Sequence, residues 1–157
     1  MRVLVVCIIL LSVSCGIVQA AGMNLALTVP VVTRHFPESS PDLNEHNHGL
    51  GLEYTIHKDV ALTAGKFTNS LSKDTYYVGV VYTPLRFLGL HTGVVLGLDV
   101  SGSYNEINPL RPFIGSLRLA TGQESALGFN IDVLSGVNRG KDVKAYGAVA
   151  VSMKYSF

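Results

Sequence analysis

The sequence lacks several features on which common enzyme and nucleic-acid-binding classes depend. Its only cysteines, Cys7 and Cys15, lie in an N-terminal segment that we expect to be removed, so we expect neither disulfides nor thiolate chemistry in the mature chain. Neither sign of charge dominates, since 12 Lys and Arg residues balance 11 Asp and Glu residues, and nothing indicates nucleic acid as a partner. The Gly-x-Ser-x-Gly motif of α/β-hydrolases and a glycine-rich phosphate loop are both absent.

An apolar run long enough for a membrane-spanning helix is also missing. The run from Val3 to Val13 is well below the roughly 18 residues that such a helix needs. It follows the positively charged Arg2 and precedes Val18-Gln19-Ala20, where small residues occupy the positions that a signal peptidase reads. We therefore predict a cleaved secretory signal peptide over residues 1–20 rather than an anchor helix. A lipoprotein signal ending at Cys15 is a weaker alternative.

The last residues of the chain alternate strictly between two kinds of side chain, which is the pattern of a strand with two different faces. One face is bulky and apolar, and the other is small and mostly polar. The apolar set is Val149, Val151, Met153, Tyr155 and Phe157, and the other set is Ala148, Ala150, Ser152, Lys154 and Ser156. A strand of this kind is typical of outer-membrane barrels, in which the apolar face contacts lipid. The aromatic ending also resembles the signal that the outer-membrane assembly machinery recognises, so we expect that machinery as a partner.

The mature chain, residues 21–157, repeats segments of about ten residues that end in turn residues, as a single barrel domain would. A sheet in a membrane must close, because lipid cannot satisfy the hydrogen bonds of an open edge. We therefore predict an all-β fold, an eight-stranded antiparallel transmembrane β-barrel, present as a monomer in the cell outer membrane. The predicted strands are 25–34, 48–57, 60–69, 74–83, 88–101, 110–119, 125–134 and 143–157. The predicted outer loops are 35–47, 70–73, 102–109 and 135–142, and the predicted periplasmic turns are 57–59, 83–87 and 120–124.

The inward-facing positions of these strands are rich in glycine and short polar residues. Gly93 and Gly97 are predicted to leave room in the lumen for one slender ligand, unless such glycines only relieve crowding where strands bend. Charged side chains on the same face need partners when they are buried. We expect them to form an ionic plug rather than a catalytic set, and they are Glu53, His91, Asp99, Arg118 and Asp132.

His35 and Ser70 are predicted to reach the same rim of the barrel, because two strands and a tight turn separate them. A histidine that reaches a serine can act as its general base. The alternative is that His35 is a surface residue and Ser70 only forms a turn. Alternate positions along the first strand put His35 on the lipid-facing side, unless Pro30 introduces a bulge or the strand has already ended. His46 and His48 have no third ligand nearby, so we expect no metal and no cofactor.

Three stretches of the chain resemble the lipid A palmitoyltransferases of the Gram-negative outer membrane. The stretch Val29-Pro30-Val31-Val32-Thr33-Arg34-His35-Phe36 is similar to that family's first strand, which runs through a proline to a catalytic histidine. Asn44-Glu45, followed by Gly49-Leu50-Gly51-Leu52, resembles the family's second segment. Ala64-Gly65-Lys66-Phe67-Thr68-Asn69-Ser70, with a strand ending at Thr83-Pro84-Leu85, resembles the segment that contains the family's Asp-Ser pair.

The resemblance implies an acyltransferase that moves a palmitoyl-type chain from an outer-membrane phospholipid to lipid A, the lipid part of lipopolysaccharide. It implies a lumen that measures acyl length and a catalytic site at the outer surface. Residue by residue, it assigns His35 and Ser70 to the catalytic site, with Asn69 at the position of the family's Asp. Because an amide does not stabilise an imidazolium as a carboxylate does, another acid such as Glu45 or Glu38 is then expected to assist.

Two further functions are compatible with a small outer-membrane barrel. One is a non-enzymatic role in adhesion, surface masking or resistance, although the short predicted outer loops offer little surface to a protein partner. The other is lipid A deacylation. The lipid A deacylases are also eight-stranded barrels, and that family places a His and a Ser two residues apart late in the chain. No histidine follows His91, which argues against the deacylase.

Overall fold

The computed structural model describes residues 24–36, 43–103, 112–122, 126–138 and 144–157, so the predicted signal peptide lies outside the described residues. These segments form a closed antiparallel sheet in which each strand pairs with the next along the chain and the last pairs with the first. The predicted eight-stranded β-barrel is therefore confirmed. Its strands are β1 (Leu25–Phe36), β2 (Gly49–His57), β3 (Val60–Thr68), β4 (Asp74–Phe87), β5 (Leu90–Asp99), β6 (Phe113–Thr121), β7 (Leu127–Asn138) and β8 (Lys144–Ser156).

Side chains on the outside of the barrel are apolar, whereas those on the inside are mainly polar. In β2, Leu50 and Leu52 are exposed, whereas Gly51 and Glu53 between and beside them are buried. The buried apolar side chains of the described residues are small, and they are Ala26, Ala61, Val81 and Ala120. This distribution is the reverse of a water-soluble core and is typical of barrels whose outer face contacts lipid. Within the described ranges, no helix is long and apolar enough to cross a membrane.

The two ends of the barrel are distinguished by their connections. We call the upper rim the end that carries the connections β1–β2, β3–β4, β5–β6 and β7–β8. The lower rim carries the other three connections, the start of β1 and the end of β8. At the lower rim the Phe157 N–H donates to the Leu25 carbonyl oxygen at 2.9 Å, and the rings of Tyr155 and Phe157 meet edge to face. The last residues of the chain thus help to close the barrel against its first strand.

A bulge in β1 decides which way His35 points. The pairing of β1 with β8 shifts by one residue between Pro30 and Val32. Thr28 is buried before the shift, and Thr33 and His35 are buried after it, so the inward face changes parity at the bulge. A proline has no N–H to donate to a ladder and is compatible with a bulge. The lipid-facing placement that strict alternation gave His35 is therefore wrong, because the bulge left open at Pro30 is present. His35 lies on the inner face within β1 rather than in the predicted loop 35–47.

The turn predicted at residues 83–87 is wrong. β4 continues past this point, because a second bulge between Tyr82 and Leu85 accommodates Pro84, which has no N–H for the ladder. The turn that follows is Leu88-Gly89, with φ values of 50° and 76°. Two positive φ values are those of a type I′ turn, the usual connection of a two-residue hairpin. The sequence prediction therefore ended β4 at a point where the structure only bends the strand.

The two lumenal glycines of β5 have different surroundings. Gly93 faces the bulge of β4, and a Cβ at that position would lie 1.9 Å from the Tyr82 carbonyl oxygen. Gly93 is therefore required by the close approach of two backbones, as in the crowding alternative. Among the described residues, only the carbonyl oxygens of Val78, at 3.3 Å, and Ile114, at 3.9 Å, would lie within 4 Å of a Cβ at Gly97. The lumen beside Gly97 is accordingly more open than beside Gly93.

The centre of the predicted ionic plug is present in the lumen. Arg118 forms ion pairs with Glu53 and with Asp132, the latter at 2.8 Å, and all three side chains are largely buried. A second bond joins the Arg118 Nε to the Asp132 carboxylate at 2.9 Å, so the guanidinium is held on two sides. The other two expected members lie elsewhere along the axis, Asp99 at the upper end of β5 and His91 near its lower end. The charged cluster crosses the lumen and links β2, β6 and β7.

Candidate active site

His35 and Ser70 meet at the upper rim. The Nε2 atom of His35 lies 2.7 Å from the Oγ atom of Ser70, although 35 positions separate the two residues in the chain. Both residues are nearly buried, with 8% and 9% of their surfaces exposed. The contact confirms that the two residues share one rim, and it places a hydroxyl within hydrogen-bond reach of a ring nitrogen, which is the geometry that a general base requires.

Ser70 is held by the turn between β3 and β4, and Asn69 shapes that turn. The fully buried Asn69 side chain accepts hydrogen bonds from the N–H groups of Leu71, at 2.8 Å, and Lys73, at 3.0 Å. Its Nδ2 donates to the Thr75 hydroxyl at 3.0 Å. An asparagine that binds main-chain N–H groups two and four residues later mimics a backbone turn. These bonds direct Asn69 toward the turn, so its position beside Ser70 is explained by folding of the loop.

The segment that precedes β2 connects the two catalytic candidates. The Asn44 N–H donates to the Ser70 carbonyl oxygen at 2.9 Å, and the Asn44 side chain donates to the Asn69 carbonyl oxygen at 3.2 Å. On the other side, the Thr33 N–H donates to the Glu45 carbonyl oxygen at 3.1 Å. Residues 44 and 45 therefore lie between β1 and the β3–β4 turn and bond to both. Among these contacts only the Asn44 amide uses a side chain, so they account for an Asn at position 44.

Glu45 is the carboxylate that the structure places beside His35. Its side chain forms an ion pair with Arg34 and accepts a long hydrogen bond, 3.4 Å, from the main-chain N–H of His35. Of the two acids expected to assist His35, Glu45 is thus near it, and Glu38 lies outside the described residues.

The second ring nitrogen of His35 determines what its contact with Ser70 can do. In the described part of the chain, the buried Nδ1 atom has no hydrogen-bond partner. A neutral imidazole carries its proton on one nitrogen and accepts on the other. With the proton on Nδ1, Nε2 accepts the hydroxyl proton of Ser70 and the pair is arranged for general-base chemistry. With the proton on Nε2, His35 donates to Ser70 and the contact is structural.

A chain of hydroxyl groups continues from Asn69 around the upper rim, and the sequence interpretation missed it. Thr75, which accepts from Asn69, lies 2.5 Å from the Ser103 hydroxyl. The Ser101 hydroxyl donates to the Asp99 carboxylate at 2.5 Å, and that carboxylate also accepts from the Ser101 N–H. The inward parity of Thr75 was the available signal. These bonds tie the β3–β4 turn to the end of β5 and stiffen the surroundings of Ser70.

The loop histidines do not join this site. His46 and His48 are both exposed, unlike His35. Among the described residues, no group of three or more His, Cys, Asp or Glu side chains is arranged to bind a metal ion. His46 is therefore a useful comparison for His35, since it lies in the neighbouring segment but outside the buried pair.

Comparison with known proteins gives no further assignment. No protein-family model matches the chain, and no curated protein sequence matches it. The resemblance to the lipid A palmitoyltransferases therefore stays a prediction that depends on short stretches of sequence.

Proposed function

We propose that this protein is an outer-membrane acyltransferase that moves a palmitoyl-type chain from a phospholipid to lipid A. The single observation that supports this best is the buried hydrogen bond between His35 Nε2 and Ser70 Oγ at the upper rim. These are the two residues that the sequence resemblance assigns to catalysis, and the fold brings them into contact from β1 and from the β3–β4 turn.

In the proposed reaction, His35 acts as general base. Its Nε2 takes the proton of the hydroxyl that attacks the ester carbonyl of the phospholipid. The ester bond to glycerol then breaks, the glycerol oxygen recovers the proton, and a lysophospholipid leaves. The attacking hydroxyl is that of Ser70, which then passes the acyl chain on, or that of lipid A itself. Either route forms one ester for each ester that is broken.

In this proposal Glu45 supplies the negative charge that the family's Asp would supply, without a bond to His35 Nδ1. The imidazolium that forms during proton transfer is stabilised by a nearby negative charge. Asn69 carries no charge and its amide is bonded to the turn. The Glu45 carboxylate, by contrast, is held beside His35 by Arg34 and by the His35 main chain.

The surroundings of the pair suit lipid substrates. The outside of the barrel carries exposed Leu, Val, Tyr and Phe side chains on its strands, which would place the upper rim at the surface of a bilayer. In this proposal the acyl chain lies above the Arg118 cluster, whose ion pairs cross the lumen below the rim. The chain would pass beside Gly97, where no side-chain atom of the described residues comes within 4 Å of an added Cβ.

Mass spectrometry of lipid A from Gram-negative cells that express the protein tests this proposal. The parent should add the mass of one acyl group, and His35→Ala and Ser70→Ala should lose most of that gain, since general-base assistance is worth about a hundred- to ten-thousand-fold. His46→Ala is the matched control and should act as the parent does. Heat-modifiable migration in detergent gels shows whether each variant has folded.

Each other outcome contradicts part of the proposal. If both variants transfer as fast as the parent, the site lies elsewhere. A loss of acyl mass would indicate deacylation. If the folded parent leaves lipid A unchanged, the non-enzymatic barrel is the better account, and the His35–Ser70 contact only supports the rim.

A further inference from the structure

The hairpin between β4 and β5 carries an exposed apolar tip at the lower rim. Leu88 is 84% exposed, Phe87 73% and Leu85 64%, and they are among the most exposed large apolar side chains of the described residues. We call these three residues the apolar tip. Single exposed apolar side chains are common on proteins, but three on one hairpin end form a patch that is expected to contact something.

The backbone conformation of the turn makes a leucine unexpected at the apolar tip. Leu88 has a φ of 50°, in the left-handed region, and precedes Gly89 in a two-residue turn. Asn, Asp and Gly are the residues that favour this position, and a bulky side chain is unusual there. In water, Leu88 would be unfavourable both for its backbone conformation and for its exposed side chain. A lipid environment removes the second disadvantage.

The apolar tip continues the outer face of the barrel. After the bulge in β4, Leu85 pairs with Thr92 and Phe87 pairs with Leu90. Thr92 and Leu90 lie an even number of residues from the exposed Leu96 on β5, so all of these residues are on the outer face. Without the extra residue of the bulge, Arg86 would take the outward position. The bulge therefore extends the apolar outer stripe to the end of the hairpin.

The neighbouring turn at the same rim is polar. It consists of Lys58 and Asp59 between β2 and β3. Arg86 reaches back to this turn, donating to the Lys58 carbonyl oxygen at 2.9 Å and to the Asp59 carboxylate at 3.2 Å. The charge of Arg86 is thus directed away from the apolar tip and toward the polar turn. One side of the lower rim is apolar and the adjacent side is charged.

We propose that the apolar tip is embedded in the hydrocarbon of the leaflet at the lower rim, while the Lys58-Asp59 turn stays in water. The occupant is the lipid itself, because the tip is continuous with the outer face that the membrane would cover. This inference rests on the membrane placement in the proposed function and is independent of the acyl transfer. The hairpin then acts as a one-sided anchor that sets how deep this edge of the barrel lies.

Tryptophan fluorescence tests the anchor, because the chain has no tryptophan of its own. Phe87→Trp places a single probe in the apolar tip without changing the strained position at Leu88. Lys58→Trp is the control in the polar turn, and Leu96→Trp is the control on the outer face of β5. The three full-length variants are folded into phosphatidylcholine vesicles, with and without bromine on the acyl chains.

The expected result is that Phe87→Trp emits at short wavelength and is quenched by brominated lipid as strongly as Leu96→Trp. Lys58→Trp should emit at longer wavelength and be quenched by iodide in the water. If Phe87→Trp behaves as Lys58→Trp does while Leu96→Trp is quenched by lipid, the anchor is refuted and the membrane placement stands. If Leu96→Trp is not quenched by lipid either, the membrane placement fails, and the anchor fails with it.

Leu88→Asn provides a second test, because its expected effect on unfolding stability is opposite for a tip in water and a tip in lipid. Asn favours the turn conformation, so in water this change should stabilise the hairpin. In lipid it removes an apolar contact and buries an amide, so the protein should unfold in vesicles at lower urea concentration than the parent. A higher unfolding midpoint in vesicles would overturn the anchor.

Discussion

Replacing Arg118 with Met should destabilise the barrel more than any change on its outer face. The Arg118 guanidinium is bonded to Glu53 and, through two nitrogens at 2.8 and 2.9 Å, to Asp132. The side chains of Arg118, Glu53 and Asp132 are only 10%, 7% and 13% exposed. Met occupies similar space but carries no charge, so the change leaves two carboxylates in the lumen without their shared cation.

The magnitude follows from that burial. Removing one partner of a buried ion pair costs about 3–5 kcal/mol, because the remaining charge is neither solvated nor paired. The triple variant Arg118→Met, Glu53→Gln, Asp132→Asn removes the charges together and should regain much of the loss, since neutral replacement of a whole buried cluster costs far less.

Urea unfolding of the refolded protein in detergent or vesicles, followed by gel migration or far-UV circular dichroism, measures this difference. Leu117→Met is a matched control, because Leu117 is the exposed neighbour of Arg118 on β6. If Arg118→Met unfolds at the same urea concentration as the parent near neutral pH, the cluster is solvated and does not act as a buried plug. If the triple variant is less stable than Arg118→Met, the account from unpaired charge is wrong.

Two further predictions concern the surroundings of His35. Asn69→Ala should destabilise the β3–β4 turn by about 1–3 kcal/mol, because it removes two hydrogen bonds to the partly buried N–H groups of Leu71 and Lys73, each worth about 0.5–1.5 kcal/mol. Asn69→Asp keeps an acceptor and should retain the fold, and equal stability of the two variants in urea would contradict the turn role. Glu45→Gln should lower acyl transfer by about fivefold, which corresponds to the roughly 1 kcal/mol that a partly exposed charge pair contributes. It should also move the acid limb of the pH–rate profile to lower pH, since the imidazolium loses a neighbouring anion. A lower rate with an unshifted profile would show that Glu45 only supports the loop.

The placement of His35 and Ser70 could be predicted from the sequence, whereas that of the Asn69 side chain could not. The meeting of His35 and Ser70 at one rim followed from counting strands, because antiparallel neighbours bring alternate connections to the same end. The role of Asn69 did not follow, since the sequence places it next to Ser70 and gives no direction for its side chain. Only the folded turn shows that the Asn69 amide binds Leu71, Lys73 and Thr75.

Local patterning in the sequence was enough to predict the barrel and its two faces, because the side chains of a strand alternate with a period of two. Tertiary structure decided where the alternation changes parity. The bulges after Pro30 and Tyr82 each add one residue relative to the partner strand, and their positions depend on pairing with β8 and β5. The first bulge turns His35 from the outer face to the inner face, and the second carries Leu85 and Phe87 outward. Pro30 and Pro84 mark places where a bulge is tolerated, but whether the register shifts there is set by pairing with distant segments of the chain.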